Sequence, residues 1–107
     1  MTFDEFVAAV DARLAPFKVA RMPEQDRDGW AGWKTEGKHA QLHYHPENLH
    51  FPVALGFTDV GTEGIATAVW PSPQQPLPFM LDDYNARTAA LQILQQFGVD
   101  FDPDDIT

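Results

Sequence analysis

Hydrophobic positions in the chain recur first at helical spacing, then at a period of two, then again at helical spacing. In "MTFDEFVAAVDARLAP" the apolar residues Phe3, Phe6, Val7, Val10 and Leu14 fall on one stripe, with Asp4, Asp11 and Arg13 elsewhere around the cylinder. Thr2 followed three residues later by Glu5 is the spacing of a capping box, and Pro16 ends the pattern. A helix is predicted from there to Pro16.

From Phe17 to Trp70 the alternation predicts five strands, near 17–22, 30–35, 38–45, 49–57 and 65–70. "DRDG", "TEGK", "HPEN" and "TDVGTEG" supply the turns between them, so neighbouring strands are expected to pair as an antiparallel meander. "PSPQQPLP" lacks the donors for a helix or an interior strand and reads as a connecting arm. A second helix follows at about 83–97, capped by Asp82 or Asp83, with Tyr84, Leu91, Leu94 and Phe97 as its stripe, widened by Ile93 and alanines, and Gly98 at its end. The closing "VDFDPDDIT", residues 99–107, reads as a mobile acidic tail. The fold class expected is α+β: one domain over 1–107, with an N-terminal helix, a five-stranded antiparallel meander and a C-terminal helix, both helices on one face of the sheet.

Alternation also assigns faces. Leu49, Phe51, Val53, Leu55 and Phe57 all point one way, joined by Ala40, Leu42 and Tyr44, by Ala31 and Trp33, by Phe17 and Val19, and by Ile65 and Val69. A two-residue turn at Glu36-Gly37 pairs Thr35 with Lys38, Trp33 with Ala40 and Ala31 with Leu42 on this inner face, and sets Trp30 opposite His43 and Lys34 opposite His39 on the outer one. A four-residue loop at "PENL" would place His45 opposite His50 and His43 opposite Pro52. A symmetric 58–64 loop would bring Trp70 opposite Pro52. The outer face then carries a row of Trp30, His43, Pro52 and Trp70, flanked by His45 and His50. Pro52 inside the strand pattern signals an edge or a bulge there.

Composition sharpens this picture at one point. Sixteen acidic against seven basic residues give a net charge of −9, which disfavours nucleic acid and anionic membranes as partners. Yet the outer-face positions hold no carboxylate; the acidic residues are assigned to helices, loops and the tail. Such a face, small, apolar and aromatic, implies a cover. No cysteine is present, which excludes disulfides and thiolate chemistry, and no apolar run approaches membrane-spanning length; a cytoplasmic protein is expected.

Three functions suit these residues. The first is a non-enzymatic interaction module, a homodimer or a binder of another protein, using Trp30, His43, His45, His50, Pro52 and Trp70. No cofactor is needed for it. The second is a metal-binding protein or small metal enzyme, with His43, His45 and His50 holding zinc or another divalent ion on the H-x-H spacing of a strand. The third is an acidic inhibitor, of the immunity type, for a basic partner. The lone Ser72 lies between prolines, so a serine nucleophile is not indicated, and Asp82-Asp83 is explained by capping.

Overall fold

The computed structural model describes residues 1–23, 29–44, 53–59, 66–69 and 81–106. The chain is α+β, with two α-helices and a four-stranded antiparallel sheet. It divides into two compact units: a helical one from Met1–Ala20 and Met80–Thr107, and a sheet unit from Arg21–Phe79.

In the helical unit, α1 spans Phe3–Leu14 and α2 spans Asp83–Gln96. Thr2 Oγ1 accepts from the Glu5 amide at 3.1 Å while the Glu5 carboxylate accepts from the Thr2 amide at 2.9 Å, completing the capping box. Phe6, Val7, Val10 and Leu14 are buried, and Phe3 is half-buried. Pro16 falls within a short 3-10 turn at Ala15–Phe17, where the lack of an amide proton costs little, and Lys18 closes the turn in the left-handed region at φ 61°. Asp82 caps α2 by accepting from the Asn85 amide at 2.8 Å. At the other end Gly98, at φ 69°, allows its own amide to reach the Gln95 carbonyl and the Val99 amide to reach that of Leu94, the paired bonds of a Schellman motif. The buried stripe of α2 is Ala86, Ala89, Ala90, Ile93, Leu94 and Phe97. Tyr84, expected on that stripe, is 70% exposed, because the small alanines occupy the packed face. Arg13 joins the helices, its guanidinium 2.9 Å from the Asp83 carboxylate and donating also to the Ala9 carbonyl.

In the sheet, β1 is a two-residue extended segment, Ala20–Arg21, and the strands are β2 (Trp30–Thr35), β3 (Lys38–Tyr44), β4 (Val53–Asp59) and β5 (Ala66–Val69), each antiparallel to the next. The strand expected at 17–22 shrinks to β1 because the 3-10 turn and the left-handed Lys18 use up its first residues. Met22 then donates to the Gly32 carbonyl at 2.9 Å, and Arg21 Nη1 to the same oxygen at 2.8 Å, with its guanidinium 5.1 Å above the centre of the Trp33 ring. On the inner face Ala31, Trp33, Ala40, Leu42, Leu55 and Phe57 are all buried, Trp33, Ala40, Leu42 and Leu55 completely.

The β2–β3 pairing is the one that the two-residue turn dictates: Thr35 with Lys38, Trp33 with Ala40, Ala31 with Leu42, Trp30 with His43 and Lys34 with His39. Gly37 adopts φ 80° in that turn. The next two registers differ from expectation. His43 pairs with Ala54, not with Pro52, a shift of two residues. Ala54 pairs with Val69 and Leu55 with Ala68, one residue away from the alignment that would have set Trp70 opposite Pro52. A shift of two preserves the faces, whereas a shift of one exchanges them: Ala66 and Ala68, and not Val69, take register positions beside the inner-face residues Phe57 and Leu55.

Candidate functional site

The outer face of the sheet is built by alternate register positions of β2, β3, β4 and β5. Its described positions form three rows. One reads Trp30, His43, Ala54 and Val69; the second Gly32, Gln41, Gly56 and Thr67; the third Lys34, His39 and Thr58.

The first row holds the most distinctive contact. Tyr44 donates to the Gly29 carbonyl at 2.8 Å, which makes Gly29 and Tyr44 a hydrogen-bonded pair and leaves Trp30 and His43 in the adjacent narrow position of the ladder, where side chains approach closest. Their rings lie against each other with centroids 3.5 Å apart and planes inclined by 35°. Both residues are half-buried. Stacking of this kind fixes two large, flat side chains with little residual rotamer freedom, so a partner docking on them loses less entropy than it would ordering them itself.

Around this pair the face is graded. Gly32 and Gly56 are buried, His39 and Gln41 half-buried, and Lys34 exposed. No carboxylate occupies a described outer-face position. One strand carboxylate does occur: Asp59 closes β4, a correction to the assignment of every acidic residue to helices, loops or the tail. It pairs with Lys38, in register alternation with Leu55 and Phe57 and not with the described outer-face positions.

Of the residues expected to form the site, the structure brings Trp30 and His43 together, and places neither His45, His50, Pro52 nor Trp70, which lie outside the described residues. The row proposed through Pro52 runs instead through Ala54 and Val69. Among the described residues no three of His, Cys, Asp and Glu gather as a metal-holding group. Of the adjacent carboxylates Asp82 and Asp83, the first is engaged as helix cap and the second as partner of Arg13. No described helix is long and apolar enough to cross a membrane.

Residues 99–106, expected as a mobile acidic tail, make contacts with α2 that hydrophobic periodicity does not reveal. Arg87 of α2 donates through Nε to the Ile106 carbonyl and through Nη2 to that of Pro103 at 2.8 Å, and Ile106 is only 2% exposed. The available signal was the spacing of apolar residues, Val99, Phe101 and Ile106, among the aspartates of the stretch.

Compared with protein-family models, with curated proteins and with solved structures, the chain has no significant match.

Proposed function

We propose that this protein is a non-enzymatic, cytoplasmic interaction module that associates with a second copy of itself through the outer face of its sheet. The observation that carries the reading is the Trp30–His43 stack, a preorganised aromatic pair on a face whose described positions hold no carboxylate, in a chain of net charge −9. Pairing the described positions of two such surfaces brings no carboxylates together, whereas a contact through the acidic side of α1, with Asp4, Glu5 and Asp11, would. The reading rests also on the sequence expectation that both helices take the inner face, with β1 as a fifth strand, leaving the outer face for a partner.

Tryptophan at the centre of an interface typically contributes as a hot spot, costing about 2 kcal/mol or more on truncation. Trp30→Ala is therefore expected to weaken self-association by roughly tenfold or more, measured by sedimentation equilibrium, while the far-ultraviolet circular dichroism stays that of the parent. A folded Trp30→Ala protein that associates as tightly as the parent would remove the outer face from the interface.

A further inference from the structure

The contacts of residues 100–106 point to a moving part distinct from the sheet. The segment forms a 3-10 turn at Pro103–Asp105, capped by Asp102, whose carboxylate accepts from the Asp104 amide at 3.0 Å. Two further bonds close it, from the Asp105 amide to the Asp102 carbonyl at 2.9 Å and from the Ile106 amide to the Pro103 carbonyl at 3.2 Å. Among the described residues, three attachments hold it down. Ile106 is buried, the Phe101 ring meets the Phe17 ring edge-on with centroids 6.5 Å apart, and Arg87 grips the Pro103 and Ile106 carbonyls from α2.

Against these stand four exposed aspartates, Asp100, Asp102, Asp104 and Asp105, within six residues, a run of like charge that favours extension. A guanidinium forked onto two neutral carbonyls is a charge-assisted attachment, stronger than an ordinary hydrogen bond but concentrated in one side chain. The helices, by contrast, are secured by a continuous stripe of buried residues. Attachment through so few groups gives a low local opening free energy, the hallmark of an element that moves while the rest stays folded.

We infer that residues 100–106 are a strap that opens and closes independently of helix unfolding, with Arg87 as its clasp, and that opening uncovers the apolar surface occupied by Ile106 and Phe101. The strap thereby controls whether the helical unit presents apolar surface beside four carboxylates.

Native-state hydrogen exchange on the full chain tests this. In the parent protein the Asp105 and Ile106 amides exchange through a small opening that is nearly insensitive to low denaturant, whereas the Phe97 amide, bonded to the Ile93 carbonyl, exchanges more slowly and with a steep denaturant dependence. Arg87→Ala speeds exchange at Asp105 and Ile106 by about tenfold or more and leaves Phe97 unchanged, and Arg87→Lys, which keeps the charge without the fork, falls between. Three results overturn the inference: Asp105 and Ile106 sharing the protection and denaturant dependence of Phe97 in the parent, no protection at Ile106 at all, or no acceleration in Arg87→Ala. The first two need no variant, so a poorly folding substitution leaves the test intact.

Discussion

A Cβ atom at position 29 would lie 2.5 Å from the carbonyl oxygen of Tyr44, and Gly29 itself sits at φ +75°. Both facts follow from one event: the chain must turn into β2 while its backbone passes close enough to β3 for the Tyr44 amide to reach the Gly29 carbonyl. The contact is with backbone, which cannot swing aside as a flexible side chain could. Gly29→Ala is therefore expected to destabilise the protein by about 2 kcal/mol or more, read as a lower urea midpoint. Because this pair precedes the Trp30–His43 position in the ladder, the same substitution should loosen the stack, seen as a red shift in tryptophan fluorescence. An unchanged midpoint would mean that the pairing at Gly29 contributes nothing to the hairpin. The glycine of "DRDG" was readable in the sequence as a turn; its approach to Tyr44 was not, since that depends on where the ladder ends.

Elements differ in how much of their arrangement a sequence can specify. The start of α1 was fully legible, because a capping box is a matter of local spacing. It also has a pH signature. The hydrogen bond from the Thr2 backbone, and then that involving the Thr2 side chain, holds the Glu5 carboxyl below its ordinary pKa. A depressed carboxyl stabilises the fold above its unfolded pKa, and the contribution is lost as pH falls through the lower folded value. Glu5→Gln is accordingly expected to flatten the acid-side loss of thermal stability and to lower stability at neutral pH; identical acid profiles for parent and variant would contradict the role of the cap. The β2–β3 hairpin was equally legible, since a two-residue turn leaves one register that keeps Trp33, Ala40, Ala31 and Leu42 together. Longer connections do not. Displacing β4 by two residues against β3 keeps every face intact, so alternation cannot detect it. In β5 the run Ala66, Thr67, Ala68, Val69 is small on both sides, and its pattern gives little resistance to the single-residue shift observed. The strand expected at 17–22 lost its beginning to a turn whose left-handed residue is Lys18, a residue type that gives no warning of that conformation.

At the scale of the whole molecule, the two ends of the chain contribute the helical unit and the middle contributes the sheet, an α+β division visible in the change of hydrophobic period. Of the six residues expected at the candidate site, Trp30 and His43 were placed opposite each other by the hairpin, and these two meet ring to ring. The rest depended on registers that pass through Pro52 and Trp70, and the observed pairings carry the row through Ala54 and Val69 instead. What persists through these corrections is a charge asymmetry. A protein with sixteen acidic residues keeps the described outer positions of its sheet free of them. Self-association is our proposal for this asymmetry, and the most direct test is the solution mass of the untagged protein, by light scattering across a concentration series. The account predicts a mass twice that of the 12.0 kDa chain, persisting to micromolar concentration and independent of added zinc or chelator. A mass that stays at that of one chain at every concentration would contradict it.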